Sequence, residues 1–407
     1  MKAAASTAGL ISWVIVALNA VQPATTAKAA GSIRRLDGST ISIADAESFA
    51  KKTLEQAHVT GAQLAVLDRG QLVWSAAFGL RRVDPPLPME RTTTTWAASI
   101  TKGVFGTYVM QLVERGEFAL DTPLAAQLPK PIDAYDEYRE SASVLANDPG
   151  WPTVTPRMLL AHTSGLGNLA MFAPDKKMRL HFKPGTAYTY SGDGLNLVQL
   201  AIEQKKGRPL DQLMQDAIFA PLGMTRTGII YRTEFADNVA DRYNADGSFR
   251  AQTKRFPARA AGSMTTSAED LARFASALLS GRLLRPATRT AMLTPFIRIR
   301  SLHQFALEPD EPVGTEASNV GLAYGMGWGL LTNTRFGPAF FKEGHGDGAQ
   351  NYMICFERRQ ACMIALTNSD NGELAFRPLF ETILGNTVTP WEWEGYTPSY
   401  IERSRKQ

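Results

Sequence analysis

Two serines in this chain are followed three positions later by a lysine, in Ser48-Phe49-Ala50-Lys51 and in Ser99-Ile100-Thr101-Lys102. A serine hydroxyl attacks a carbonyl carbon only if a neighbour takes its proton. A lysine can do so once burial has lowered its pKa. The spacing alone decides nothing, because a chain of this length should show S-x-x-K roughly once by chance. The surroundings separate the two. Ser48 falls inside an amphipathic pattern over 43–57, with Lys51-Lys52 on its polar face. Ser99 follows two small residues, Ala97-Ala98, and opens an apolar stretch over 98–115 that ends at Gly116. Lys102 comes one helical turn later, on the same face. The positive end of the helix macrodipole favours an alkoxide developing at Ser99.

Other chemistries find less support. The chain has no G-x-S-x-G elbow, and His58, His181 and His303 lack metal-ligand spacing, so neither a metal nor a cofactor is expected. His162, in "AHTSG", reads as a structural turn residue.

The elements that must position Ser99 follow from periodicity. Residues 62–79 read as two strands around Asp68-Arg69-Gly70. Thr155-Pro156 caps a helix through "RMLLAH", and helical spacing recurs over 196–207, 209–223 and 267–281. Strands return at about 325–332, 338–343, 349–356 and 361–368, before a last helix over 372–385. The expectation is an α+β fold: an antiparallel sheet flanked by helices and assembled from both ends of the chain. Residues 30–110 and 320–407 supply the α/β lobe, and a mostly helical lobe, 111–319, is inserted with the site between them. Cys355 and Cys362 face each other if the chain turns at Arg358-Arg359. Two buried thiols and a disulfide both remain open.

Six blocks then occur in a telling order. They are "TWAASITKG" (95–103), "LLAHTSGL" (159–166), "PGTAYTYSGDG" (184–194), "AAGSMTTSAEDLARF" (260–274), "YGMGW" (324–328) and "EGHGDGAQNYM" (343–353). Together they resemble the serine β-lactamase / penicillin-binding-protein superfamily, in its class C β-lactamase, D,D-peptidase and family VIII esterase branch. The resemblance spans about residues 45–385. It implies a β-lactamase/transpeptidase-like fold, Ser99 as the nucleophile, and Lys102 with Tyr190 as the proton-shuttling pair; Tyr188 is the rival tyrosine. It places His345 where the family has the Lys or His of its third motif, with the N–H groups of Ser99 and Gly348 as the oxyanion donors. The chain departs from the family twice. Gly192 stands where the Y-x-N motif has its acyl-holding Asn, and Asp347 stands for the third-motif Gly. Strand alternation would aim Asp347 at the substrate alongside His345. Both changes favour esters, amides or D-amino-acid peptides over β-lactams or D-Ala-D-Ala peptides. A β-lactamase or D,D-carboxypeptidase is the alternative within the superfamily. An alternative of another class is a cell-wall or β-lactam binding protein that acylates without turnover.

Composition fits an exported protein. Residues 1–29 read as a signal peptide, with Lys2, an apolar run over 10–21 and the small-x-small site Ala27-Lys28-Ala29. Its removal takes the formal charge from +4 to +2, and no basic stripe is interleaved with aromatics, so nucleic acid is not an expected partner. The expectation is a protein of the periplasm or exterior, without a membrane anchor after signal removal. Its ligand would be a small-molecule or peptide substrate, cell-wall fragments included.

Overall fold

Apolar alternation builds the central sheet. In the strand Gly61–Asp68, Leu64 and Val66 pack into one hydrophobic core while Ala65 and Leu67 pack into the other. Both faces are therefore covered. The computed structural model describes residues 31–305, 307, 314–399 and 401, and Ser32 onward packs as one compact unit. The expected signal segment, 1–29, lies outside the described residues.

The sheet has nine strands, all antiparallel. From edge to edge they are Ile297–Arg298, Leu322–Tyr324, Gly329–Leu331, Ala339–Gly346, Ala349–Phe356, Ala361–Thr367, Gly61–Asp68, Gln71–Arg82 and Leu87–Pro88. The N-terminal hairpin thus joins the C-terminal strands through the pairing of Gly61–Asp68 with Ala361–Thr367. Arg69 and Gly70 both take positive φ, 51° and 72°, as a tight two-residue hairpin requires. Cys355 pairs with Cys362 across adjacent strands and the two form a disulfide. The single strand expected over 325–332 is instead a turn between two short strands. Gly325-Met326-Gly327 reverses the chain, with Gly327 at φ 86°.

One face of the sheet carries the helices Ile43–Gln56 and Gly372–Ile383, which pack Leu54, Phe376 and Phe380 against Tyr352 and Ile354. The other face carries Ile100–Glu114. This helix is apolar on every side, and residues 100–112 are all buried. Gly103 and Gly106 let neighbours come close. A Cβ at Gly103 would stand 2.6 Å from the Trp328 ring, and one at Gly106 would stand 2.5 Å from the Met326 carbonyl oxygen. The helices Gly192–Lys206 and Ala268–Leu279 complete this side. Ser267 caps the second by accepting from the Asp270 N–H.

Candidate active site

Ser99 sits at the N-terminus of the buried helix, half-exposed. The residue before it, Ala98, is held at φ 45°, a left-handed conformation that costs a non-glycine residue about 1 kcal/mol or more. Such strain is retained where the surroundings fix a side chain's aim. Lys102 is 2% exposed, and its Nζ donates to Ser99 Oγ at 2.9 Å and to the Ala261 carbonyl at 2.6 Å. Burial drives its pKa well below the ordinary lysine range, and the cation of Lys342 pushes it the same way. A neutral amine beside the hydroxyl can accept its proton. Ser48, the control, lies in the helix Ile43–Gln56, where Lys51 pairs with Glu55 on the surface.

Tyr190 joins them. Its ring lies under Lys102 Nζ, 4.8 Å from the centroid, and its hydroxyl is hydrogen-bonded to Ser99. Burial first, and the Glu343 carboxylate second, raise its pKa well above that of a free phenol, so it stays protonated. His162 stacks on the Tyr190 ring at 4.5 Å. The Nδ1 of His162 accepts the Ser191 N–H at 3.1 Å, and burial keeps the imidazole neutral. His162 thus braces the tyrosine from a turn at φ 58°. Tyr188, the rival, packs beside Tyr324 with its hydroxyl buried.

The third motif is shifted three residues from the sequence reading. Lys342, not His345, reaches the site: its Nζ donates to the Tyr190 hydroxyl at 3.0 Å. Gly344 lies against the residues preceding Ser99, since a Cβ there would stand 2.3 Å from the Ala97 carbonyl oxygen. The run is Lys342-Glu343-Gly344, a K-x-G with glutamate in the middle. Lys342 and Glu343 form a buried ion pair, with side chains 0% and 3% exposed. Strand alternation sends the His345 side chain to the other face of the sheet. There its Nδ1 lies 2.5 Å from Glu373, which lifts the imidazole pKa to about 9 against the opposing effect of burial.

The remaining expectations at this strand are corrected too. Gly348 is no oxyanion donor, because its N–H is given to the Asp370 carboxylate at 2.5 Å. Asp347 forms the hairpin tip with Gly348, is 70% exposed, and pairs with Arg250 at 2.6 Å. Gly192 is buried and gives its N–H to the Asn168 carbonyl at 2.6 Å. A Cβ at 192 would stand 2.8 Å from the end of the Leu169 side chain and 3.1 Å from the Asn168 carbonyl oxygen, so an asparagine there would require Leu169 to shift.

The ladder supplies another donor. Cys355 and Cys362 lie 4.1 Å apart at Cα, the narrow pair that exchanges no backbone hydrogen bonds. Cys355 therefore turns its backbone toward Phe340, its partner on the other side. By alternation, Phe340, Lys342 and Gly344 bond that neighbour, while Phe341, Glu343 and His345 point their N–H groups the opposite way. There the strand Gly329–Leu331 ends opposite Phe341 and Ala339. The backbone N–H of His345 therefore points away from Ala349–Phe356, beyond the end of the strand Gly329–Leu331.

Comparison with known proteins bears on the family and the fold. A family model described as Beta-lactamase matches residues 46–384. Esterase EstB of Burkholderia gladioli is 30% identical over 205 residues, which cover 44% of this chain and 49% of the esterase. The putative penicillin-binding protein PbpX of Bacillus subtilis is 26% identical over 245 residues, covering 56% and 58%. The chain thus spans about half the length of these curated relatives. Among solved structures, an octameric penicillin-binding protein homologue from Pyrococcus abyssi superposes with a TM-score of 0.67 at 22% identity, over 89% of this chain and 80% of that one. A D-stereospecific amidohydrolase from Streptomyces sp. superposes at 0.65 and 21% identity, over 84% and 99%. At these identities the superpositions establish the β-lactamase/transpeptidase-like fold.

Proposed function

Because this chain belongs to the Beta-lactamase family, with 46–384 matched to its model, we propose that it is a serine hydrolase working through an acyl-enzyme on Ser99. The observation that carries the reading is Lys102 Nζ at 2.9 Å from Ser99 Oγ, in surroundings that depress the lysine pKa. Neutral Lys102 takes the hydroxyl proton as Ser99 Oγ bonds to the substrate carbonyl carbon. The N–H groups of Ser99 and His345 receive the oxyanion, each worth about 3–4 kcal/mol in sites of this type. Tyr190, still a phenol and held by the Lys342 cation, gives its proton to the leaving oxygen or nitrogen as the carbon–leaving-group bond breaks. The proton on Lys102 restores Tyr190, and water then releases the acyl group from Ser99.

The substrate class is an ester, an amide or a D-amino-acid peptide. Glu343 neutralises the third-motif cation at the leaving-group side, which disfavours leaving groups that end in a carboxylate. The names of the esterase and of the amidohydrolase among the similar proteins fit that range. A β-lactamase or D,D-carboxypeptidase is disfavoured by the same glutamate and by the missing side chain at Gly192. Export to the periplasm or exterior is supported by the Cys355–Cys362 disulfide. The test is a fluorophosphonate label combined with turnover of a p-nitrophenyl ester, a D-amino-acid anilide, nitrocefin and a D-Ala-D-Ala peptide. Ser99→Ala should lose both labelling and turnover while folding survives. Labelling that persists in Ser99→Ala refutes the assignment, and labelling of the wild type without steady turnover points to the non-turnover binding protein.

A further inference from the structure

Tyr190 and Lys342 mark the leaving-group side of Ser99. Trp96, three residues before Ser99, makes a different set of contacts. Its ring lies on Gly346, where an added Cβ would come within 2.2 Å of it, and its Nε1 donates to the Gly262 carbonyl at 2.6 Å. Gly262 in turn approaches the Ser99 N–H, with its Cβ position 3.9 Å from that nitrogen. Trp96 is thus tied to the Ser99 backbone through Gly262.

Two guanidinium groups lie over this ring, Arg255 at 4.0 Å and Arg242 at 4.9 Å from its centroid. Among the described residues neither forms an ion pair with a carboxylate. Arg242 makes one side-chain hydrogen bond, from Nη1 to the Asp347 backbone carbonyl. Among the described residues the Arg255 guanidinium makes no side-chain hydrogen bond, and its close contact is the Trp96 ring. The Nε atom of each is buried without a partner. The nearby Asp347 carboxylate is bound to a third arginine, Arg250. Burial is the largest influence on both Arg242 and Arg255 and lowers their pKa, and the Asp347 carboxylate, which acts the other way on both, offsets it only in part. Proteins seldom leave a half-buried guanidinium fork unmatched, because its donors suit a planar anion.

We propose that Trp96, Arg242 and Arg255 form a binding site for a carboxylate carried on the acyl portion of the substrate, a reading that rests on the Ser99 acyl-enzyme. The site selects an anion on the acyl side, while Glu343 rejects one on the leaving-group side. The two halves of the cleft thus read opposite ends of the substrate by opposite charge.

The probes are p-nitrophenyl monoesters of succinic, glutaric and adipic acid, each set against the uncharged p-nitrophenyl ester of equal chain length. In the wild type the anionic ester should have the higher kcat/KM in at least one pair. Arg255→Gln should lower that anionic-to-neutral ratio about ten- to hundredfold, the loss of a charge-assisted contact. Arg255→Lys, which keeps the charge, should retain more of the ratio, and added salt should erode it in the wild type. An unchanged ratio in a folded Arg255→Gln overturns the site. If the wild type hydrolyses none of the esters, the acyl-enzyme reading fails separately. The site is then decided by calorimetric titration of Ser99→Ala with the same pairs. Tighter binding of the anionic member that is lost on adding Arg255→Gln supports it, and equal binding of both members overturns it.

Discussion

Lys342 is the most exposing position to perturb, because it belongs to two interactions that can be measured apart. Its Nζ supports the Tyr190 hydroxyl, and it is the partner of Glu343 in an ion pair with side chains 0% and 3% exposed. Glu343 Oε2 has no hydrogen-bond partner, so Lys342 provides what compensation the carboxylate has. Lys342→Met should therefore cost about 3–5 kcal/mol of stability, the penalty of a stranded buried charge. Adding Glu343→Gln removes that charge and should bring the double variant back to within about 1–2 kcal/mol of wild type. Activity should not follow stability. Both variants lack the cation on Tyr190, so kcat/KM should stay about ten- to hundredfold down, the worth of a hydrogen bond to a charged group. The assay is urea denaturation followed by tryptophan fluorescence, paired with ester hydrolysis at a temperature where all forms are folded. A double variant no more stable than Lys342→Met refutes the stranded-charge argument. A double variant with wild-type kcat/KM refutes the role of Lys342 at Tyr190.

Lys102→Ala and Tyr190→Phe should each lower the acylation rate about 10²–10⁴-fold, and the double variant should be scarcely worse, since the residues move one proton together; multiplicative losses would mean independent roles. The acid limb of kcat/KM should belong to Lys102, with activity rising as pH climbs through a pKa depressed by burial and by Lys342. His345 has a folded pKa raised to about 9 by Glu373, against roughly 6.5 unfolded. Its stabilisation is therefore complete below about pH 6.5 and lost as pH rises through about 9. The side chain is 58% exposed, so solvent should hold the effect below about 1 kcal/mol. The Tm deficit of His345→Gln should be visible at pH 6 and gone at pH 10; a deficit equal at both would mean the ion pair does not stabilise the fold.

The Ser99–Lys102 pair and its helix were legible because their signal is local. Small flanks, a helix start and a lysine one turn on are all contained within 97–102. Tyr190 was legible from its block, and the strands from their alternation and turns. The third motif was misplaced by three residues because Gly-His-Gly offers a histidine beside glycines, whereas glutamate obscures the K-x-G of Lys342-Glu343-Gly344. A signal did exist: a lysine and a glutamate end the apolar run Ala339-Phe340-Phe341, and charges inside a central strand are seldom there without a task. The errors at Asp347 and Gly348 follow from that shift, since both became a hairpin tip instead of cleft lining. The arginines over Trp96 could not be found from sequence. Arg242 lies on the strand Asp241–Tyr243 and Arg255 just beyond the strand Phe249–Gln252, both more than a hundred residues from the indole, and the contacts are tertiary.

The helix that opens at Ser99 has no solvent face, and its two glycines are moulded to Trp328 and to the Met326-Gly327 turn. It has nothing to stabilise it until the sheet, the "YGMGW" turn and the loop carrying Ala261 have closed around it. Fragments, truncations and nascent chains should then be inert however native their strands are, because the setting of Ser99 depends on all of these contacts at once. Hydrolysis becomes a reporter of complete folding rather than of local integrity. During denaturation, activity and the global transition should disappear together, and a library screened for turnover is screened for cooperative foldedness at the same time.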